Sequence, residues 1–363
     1  MGKLDRMSVA GFKSIQRMSL EMGQMNVLIG ANGSGKSNFL GLFRLLRAIA
    51  AGTLRQYVAA AGGSESLLHF GPKITTDIEI DVDFGSIGYA CVLGAVNGSG
   101  LFFRHEAVRS RASVAASVQS QDLGEGHNES KLNQPNLGLG WVQNSVREQL
   151  SQCRVYHFAD TSATAAARRL VYMQDNEFLH EDGGNLAAYL YLLKSNYPTQ
   201  YDLIQKTIRR VAPFFDDFAL KGLVNNPQQV QLDWREIGRD NVFAPSALSD
   251  GTLRFMCLAT LLLQPMLPTT ILIDEPELGL HPFALSLLAG LIRSASAKAQ
   301  IILTTQSVDL LNEFEPEQVI VCEKSAGVSS FERLDPQRYA AWLQDYSVGE
   351  LWQKNVIGGG PDA

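Results

Sequence analysis

One octapeptide constrains the fold of this chain more than any other feature, because residues 30–37 read Gly-Ala-Asn-Gly-Ser-Gly-Lys-Ser. An apolar run at 26–29 precedes it and predicts a buried strand, and apolar residues recur at helical spacing across 38–46. Glycines let backbone N–H groups curve around a polyphosphate, and a helix start adds partial positive charge. A chance Gly-rich turn does not require this strand–loop–helix context, so the segment predicts a nucleoside triphosphate site.

Within the octapeptide, two side chains have predicted chemical roles. Lys36 is expected to reach the β- and γ-phosphates and assist catalysis, and the Ser37 hydroxyl is expected to bind Mg²⁺. No Asn-Lys-x-Asp motif that would read guanine occurs, so the predicted ligands are ATP and Mg²⁺. The predicted nucleotide contacts from this segment are Gly30, Asn32, Gly33, Ser34, Gly35, Lys36, Ser37 and Asn38.

Two acidic residues end a second apolar strand, Thr270 to Ile273. Asp274 is expected to hold Mg²⁺ through water, and Glu275 to orient the attacking water as a general base. The alternative is an exposed acidic turn, which the strand residues Thr270 to Ile273 before the pair and Pro276 after it disfavour. We therefore expect a catalytic site that hydrolyses ATP.

Two further segments are ambiguous when each is taken alone. Ser249 and Gly251 precede a predicted helix and would form either an anion-binding cap or an ordinary N-cap. Their position shortly before the acidic strand end favours the anion-binding cap. Gln306 follows a third predicted strand and would either touch the γ-phosphate as a catalytic residue or be a solvated loop amide.

Taken together, these motifs resemble the ABC-type ATPases of the SMC and RecF-like group. Residues 8–15 resemble the opening strand and turn of that group, 248–255 its signature motif, and 271–282 its Walker B strand and D-loop. The ending at 346–352 is similar to compact bacterial AAA-family ATPases of the OLD- and RecF-like group. Some of those belong to anti-phage defence or DNA-maintenance operons.

The resemblance and the pattern along the chain predict an α/β fold, a P-loop NTPase of ABC type with a mostly parallel core sheet. Residues 1–55 and 245–363 would form the split nucleotide-binding core. Alternating acidic and apolar residues place an inserted antiparallel β subdomain at 70–110. A flexible loop at 110–140 and a mainly helical lobe at 141–244 complete the predicted organisation.

The resemblance also implies a mechanism. Two heads would join as a homodimer and sandwich two ATP molecules, with Ser249 and Gly251 of one copy contacting the γ-phosphate bound to the other. The group usually has a histidine at the switch position, where this chain has Gln306, which cannot titrate. The Q-loop glutamine has three candidates, Gln119, Gln121 and Gln143.

The leading functional hypothesis is an ATP-hydrolysing switch in DNA maintenance or anti-phage defence, with a separately encoded, nuclease-like effector. The alternatives are an ATP-bound scaffold with little turnover and the nucleotide-binding subunit of a transporter. DNA is a candidate ligand that the net charge of −6 does not support. The four separated cysteines, with no signal peptide or spanning segment, predict a cytoplasmic protein without a membrane partner.

Three other groups of polar residues have less specific patterns. Glu275, Glu277 and His281 could suggest a metal cluster, but a histidine that starts the next helix is the favoured interpretation. The arginine pairs at 168–169 and 209–210 would contact a phosphate backbone or, as favoured, lie on solvated helix faces. The turn at 13–14 would approach the nucleotide or be a plain turn.

Overall fold

The computed structural model describes residues 2–96, 100–111, 117–134 and 140–360. They divide into two compact units. The first unit runs to Val155 and also contains Pro268–Leu272 and the residues from Ala299 onward. The second unit contains Tyr156–Leu267 and Ile273–Lys298.

The strands of the described residues are short and alternate with helices over much of the chain. In chain order they are β1 (Arg6–Phe12), β2 (Ile15–Glu21), β3 (Met25–Ile29), β4 (Asp77–Phe84), β5 (Ile87–Val96), β6 (Gly100–Ser110), β7 (Gln119–Gly124), β8 (Cys153–Tyr156), β9 (Val171–Tyr172), β10 (Phe215–Phe218), β11 (Gln229–Val230), β12 (Trp234–Glu236), β13 (Val242–Phe243), β14 (Thr270–Asp274), β15 (Gln300–Thr305), β16 (Val319–Ser325) and β17 (Val328–Arg333).

The helices fall in both units. They are α1 (Lys36–Ala51), α2 (Leu54–Ala60), α3 (Gly140–Ser151), α4 (Leu186–Asn196), α5 (Pro198–Val211), α6 (Asp250–Leu263), α7 (Pro282–Ser296), α8 (Val308–Leu311) and α9 (Val348–Gln353). The strand–loop–helix context predicted for residues 30–37 is confirmed, because β3 ends at Ile29 and α1 begins at Lys36.

The first unit contains an antiparallel sheet in the order β2-β1-β4-β5-β6-β7. Strand β4 has one buried apolar face and one face of acids, as its alternating sequence predicts. On the acidic face, Arg109 donates to both oxygens of Asp81 at 2.6 and 2.7 Å and to Asp83 at 2.9 Å. Because β1 and β2 pair into this sheet, it extends beyond the predicted segment 70–110 and includes the N-terminal hairpin.

A second sheet has the order β17-β16-β3-β15-β14-β8, and in it β3 pairs in parallel with both β15 and β16. Thr305 and Val321 both lie opposite Ile29, so β3 and β15 end together, while β16 continues beyond them to Ser325. All five residues of β3 are buried, as expected for a central strand. The loop at 30–37 therefore leaves the centre of this sheet at its carboxyl edge.

Helix α1 fills the core of the first unit. Its side chains belong to a hydrophobic cluster that also includes residues of the antiparallel sheet and of β3, β15 and β16. The rings of Phe39 and Phe331 lie 5.5 Å apart, which joins α1 to β17. Burial of this helix fixes the loop that precedes it.

The second unit combines helices α4 to α7 with small antiparallel sheets, β10-β12-β13 and β9-β11. An aromatic cluster forms its core, with ring centroids of Phe215 and Phe218 at 4.7 Å and of Trp234 and Phe243 at 5.0 Å. The segment predicted as a mainly helical lobe, 141–244, thus includes several strands, and its first helix, α3, belongs to the first unit.

The loop predicted for 110–140 is wrong in part. It contains β7, which pairs with β6, and a short 3₁₀ helix at Lys131–Asn133. Strand β7 lies at the sheet edge and is little buried, so most of its residues are polar. Its sequence therefore lacks the apolar pattern that would predict a strand. Residues 112–116 and 135–139 lie outside the described residues.

Candidate functional site

Two glycines shape the phosphate loop in different ways. Gly33 has φ 78° and Gly35 has φ 121°, both in the region that favours glycine. A Cβ on Gly35 would overlap Ser329 Oγ, whereas a Cβ on Gly33 would meet no atom within 4 Å. Glycine is therefore required at position 35 for space as well as for backbone conformation.

The side chain of Lys36 is held by the loop itself. It is only 6% exposed, and Nζ donates to the carbonyl oxygens of Gly30 at 2.6 Å and Ala31 at 3.1 Å. The neighbouring Ser37 is exposed at the start of α1. The loop thus combines a fixed ammonium with an exposed hydroxyl, the two groups that a triphosphate site uses.

A hydrogen-bond network supports the loop from behind. Ser329 Oγ on β17 donates to the Ser34 carbonyl at 2.5 Å, and Cys322 Sγ donates to the same oxygen at 3.4 Å. Ser329 Oγ also lies 2.7 Å from Ser14 Oγ, which accepts from Asn38 Nδ2 at 2.7 Å. Burial raises the pKa of the Cys322 thiol to about 11, so it stays protonated and can donate. The turn at 13–14 therefore contributes to loop support through Ser14.

The predicted switch residue lies with the phosphate loop. Gln306 follows β15 and lines a cleft of about 990 Å³ together with residues 30–34 of the loop. The next residue, Ser307, starts α8 and accepts from the Leu310 N–H at 3.2 Å. The structure thus brings Gly30, Asn32, Gly33, Ser34 and Gln306 to one cleft.

The second unit carries the acidic strand end. The Asp274 side chain is 14% exposed, and its Oδ2 lies 3.2 Å from Nδ1 of His157. His157 directly follows β8, and its backbone N–H donates to the Glu181 carbonyl at 2.9 Å. Sequence reasoning missed His157, because no motif marks a residue so far from its carboxylate partner along the chain.

Glu275 has an unusual backbone conformation. Its φ is +44°, in the left-handed region that non-glycine residues rarely adopt. Pro276 follows, and the chain then turns through Leu278 and Gly279 before α7 begins at Pro282. Left-handed non-glycine residues cost on the order of 1 kcal/mol and concentrate at functional sites. The left-handed conformation therefore marks Glu275, the predicted general base, as a strained position.

The signature-like segment begins α6 with a defined cap. The Ser249 side chain is exposed, and its Oγ accepts from the Thr252 N–H at 3.2 Å. Gly251 packs so closely on the carbonyl of Gly279 that a Cβ would overlap it. Ser249 is thus a real N-cap, while Gly251 joins the segment to the turn after Glu275.

Two buried arginines fix this region of the second unit. Arg254 Nε donates to the Phe158 carbonyl at 2.9 Å, and its terminal nitrogens donate to the carbonyls of Ala159 at 2.9 Å and of Leu278. Burial lowers the pKa of the Arg254 guanidinium. Arg168, 8% exposed, donates to the carbonyls of Leu248 at 3.1 Å and of Pro245.

Arg168 therefore does not lie on a solvated helix face, which corrects the favoured sequence interpretation. Arg209 likewise donates to the carbonyls of Phe215 at 3.3 Å and of Asp216. Long arginine side chains reach carbonyls of distant segments, which the sequence pattern does not reveal. The three Q-loop candidates lie elsewhere in the first unit: Gln119 and Gln121 are on β7, and Gln143, in α3, donates to the Gln134 carbonyl at 3.2 Å.

The predicted Mg²⁺ ligands have suitable chemistry. The Ser37 hydroxyl and the Asp274 carboxylate are hard oxygen donors, and both side chains retain some exposure. In the described part of the chain, no group of three or more His, Cys, Asp or Glu side chains is arranged to hold a metal ion.

A family comparison agrees with this geometry. The model of the family described as "AAA domain, putative AbiEii toxin, Type IV TA system" matches residues 25–89 and 154–312, more than half of the chain. The chain belongs to this family. The matched segments contain the phosphate loop, the signature-like segment and the acidic strand end. The family contains ATPase-type domains, so the chain is an AAA-domain protein with a nucleotide-binding fold.

Solved structures show the same fold. An Smc head bound to the C-winged helix domain of ScpA is 14% identical, with a TM-score of 0.56, over 93% of this chain and 99% of that one. An Smc head domain from Pyrococcus furiosus, with an extended coiled coil and bound to the C-terminal domain of ScpA, is 14% identical, with a TM-score of 0.52, over 95% and 99%. The predicted fold class and the resemblance to SMC and RecF-like ATPases are confirmed.

Among curated proteins, none matches the sequence. Within the described ranges, no helix has the length and apolar character needed to cross a membrane.

Proposed function

We propose that this AAA-domain protein is an ATP-hydrolysing switch in which two copies hold two ATP molecules between them. The observation that carries the proposal is the phosphate loop, whose buried Lys36 ammonium is fixed by the carbonyls of Gly30 and Ala31. Gln306 lines the same cleft. A fixed cation, loop N–H groups and a polar amide in one cleft suit the β- and γ-phosphates of a nucleotide.

In the proposal, different residues bind the phosphates, hold the metal ion and activate the attacking water. Lys36 and the N–H groups of residues 33–38 bind the phosphates, and Ser37 and Asp274 hold Mg²⁺. When bound, Mg²⁺ neutralises charge on the phosphate oxygens. Glu275, whose backbone is left-handed, accepts a proton from the attacking water.

The second copy completes the site. Ser249 is exposed at the start of α6, where its Oγ accepts from the Thr252 N–H and its carbonyl accepts from the Leu253 N–H. In the proposal, Ser249 and Gly251 of one copy contact the γ-phosphate bound by the other copy. Hydrolysis removes that contact and favours separation, so that the dimer reports which nucleotide is bound.

The cellular role is proposed to be DNA maintenance or anti-phage defence, with a separately encoded, nuclease-like effector and with DNA as a candidate ligand. Support comes from the family description, which names a toxin of a toxin–antitoxin system, and from the Smc heads, which are bound to domains of ScpA. A cytoplasmic location is supported by the four cysteines, which are buried and form no disulfide.

The test is Glu275→Gln, which keeps the size of the side chain and removes its basicity. Without a general base, ATP turnover should fall by about 10²- to 10⁴-fold while ATP binding persists. The variant should also accumulate as an ATP-bound dimer in size-exclusion chromatography with light scattering. The matched control is Glu79→Gln, an exposed acid on β4, which should turn over ATP like the wild type. Unchanged turnover in Glu275→Gln would contradict the proposed base.

A scaffold with little turnover is the second candidate, and Gln306 favours it because an amide cannot titrate where proton handling would be needed. The two functions separate in a cellular assay. If Glu275→Gln loses ATP turnover but keeps its biological activity, ATP serves to hold an assembly. If both are lost together, hydrolysis drives the switch. Turnover measured with and without duplex DNA, at fixed salt, tests direct DNA binding.

A further inference from the structure

A buried arginine contacts the signature-like segment from outside it. Arg168 ends a short 3₁₀ helix, Ala166–Arg168, and its side chain is only 7% exposed. Its guanidinium donates to the carbonyl of Leu248 at 3.1 Å and to the carbonyl of Pro245. Both carbonyls lie in the stretch that leads into the N-cap Ser249. One planar side chain thus holds two points of the backbone directly before the residue proposed to contact the γ-phosphate of the second copy.

Arg168 is itself fixed in place. Its Nε donates to the Thr161 carbonyl at 3.1 Å, and its own carbonyl accepts from Gln231 Nε2 at 3.1 Å. A buried guanidinium that donates through all its nitrogens has little freedom to change its rotamer. The position of the Leu248 carbonyl, and of Ser249 after it, is therefore set by a contact across 80 residues of the chain.

The same guanidinium also meets a negative charge in the segment. Asp250 directly follows Ser249, and its side chain is 67% exposed. Arg168 Nη2 donates to Asp250 Oδ1 at 3.1 Å. A carboxylate next to Ser249 repels a phosphate, and the ion pair with Arg168 offsets that repulsion. The contacts of Arg168 therefore serve two needs of a segment that receives a phosphate, a fixed backbone and a reduced negative charge.

The neighbouring arginine is placed differently. Arg169 is exposed, and the carbonyl to which its Nε donates at 2.8 Å, that of Thr164, belongs to its own loop. Building on the proposed function, we propose that Arg168 is a positioning residue of the shared site. It holds Ser249 and Gly251 in the orientation in which they contact the γ-phosphate bound by the other copy. The phosphate loop belongs to the first unit, so nucleotide binding within one copy does not depend on Arg168.

The experiment asks which half of the shared site Arg168 serves. Arg168→Gln removes the charge and shortens the side chain, and Arg169→Gln is the matched control at the next residue. ATP turnover is measured for each variant alone. It is also measured after mixing Arg168→Gln with Lys36→Ala, whose phosphate loop is inactive, or with Ser249→Arg, whose signature-like segment is blocked. Calorimetry with ADP and Mg²⁺ on the full chain measures nucleotide binding within one copy.

Arg168→Gln alone should turn over ATP about ten- to a hundredfold more slowly, the effect of a small displacement of positioning groups. Its affinity for ADP should match that of the wild type, and Arg169→Gln should match the wild type in both measurements. Mixing with Lys36→Ala should restore about a quarter of the wild-type rate, because half of the dimers are then mixed and each has one intact site of two. Mixing with Ser249→Arg should restore none, since both variants lack the same half.

Four results would overturn the inference: wild-type turnover in Arg168→Gln alone, no recovery with Lys36→Ala, equal recovery with both partners, or loss of ADP binding. The last would mean that the arginine stabilises the chain as a whole. Mixing Lys36→Ala with Ser249→Arg tests the proposed function separately. Recovery in that pair without the expected pattern for Arg168→Gln contradicts the inference alone, whereas no recovery in that pair contradicts the shared site itself.

Discussion

The phosphate loop of the first unit and the acidic strand end of the second are held in opposite ways. In the loop, glycines occupy the left-handed positions, and hydrogen bonds from Ser329 and Cys322 fix the Ser34 carbonyl. At the strand end, a left-handed conformation falls on a glutamate, Glu275, and the fixing hydrogen bonds come from one long arginine, Arg254. The loop has only glycines at its left-handed positions and is supported by β16 and β17, whereas the strand end is strained.

The two regions should therefore respond differently to substitution. The phosphate loop should be sensitive to side chains that fill the space behind it, because its glycines already hold a backbone conformation that suits them. A strained turn keeps its conformation only because neighbouring residues hold it there. Removing such a neighbour should let the turn relax. Replacing the strained residue itself by glycine should stabilise the fold.

The largest effect is expected for Gly35→Ala. Its Cβ would overlap Ser329 Oγ at a φ that alanine disfavours, so unfolding free energy should fall by about 3 kcal/mol or more. Gly33→Ala is the matched control, because it also has positive φ but open space, and it should cost only about 1–2 kcal/mol. Urea unfolding measures both. Equal losses would mean that backbone conformation alone, and not space behind the loop, requires glycine.

The next effect concerns the arginine that fixes the strand end. Arg254→Ala leaves the buried carbonyl of Phe158 and the partly buried carbonyls of Ala159 and Leu278 without their donor, so stability should fall by about 2–4 kcal/mol. Arg239→Ala removes an exposed arginine whose ion pair with Glu236 spans 2.9 Å, and it should cost no more than about 0.5 kcal/mol. Thermal unfolding measures the loss of stability in each of the two variants relative to the wild type. If both behave alike, the arginine does not hold the turn.

A smaller effect, of opposite sign, is expected at Glu275. Glu275→Gly relieves the left-handed strain and should stabilise the fold by about 0.5–1 kcal/mol while abolishing turnover. Glu275→Gln keeps the strain and should leave stability unchanged while also losing turnover. Chemical denaturation measures the difference in unfolding free energy between the two variants. A glycine variant less stable than the glutamine variant would show that the turn is not strained.

The sequence predicts the loop because its motif is local: the strand before, the glycines and the helix after follow one another between Met25 and Ala51. Asp274 and Glu275 stand out for the same reason. Ser329 and His157 escape prediction, because each acts on a partner more than one hundred residues away. The pairing of β1 with β4 could not be predicted either. The alternating pattern of a strand shows which side chains are buried, but not which distant strand it pairs with.

The central claim is that one functional site is built from two copies of this chain, and mixing two inactive variants tests it most directly. Lys36→Ala cannot bind nucleotide but keeps its signature segment, and Ser249→Arg keeps its phosphate loop but blocks the segment. If the site is shared, a mixed dimer contains one intact site, and the mixture should hydrolyse ATP while each variant alone does not. A mixture no more active than its separate components would contradict the claim.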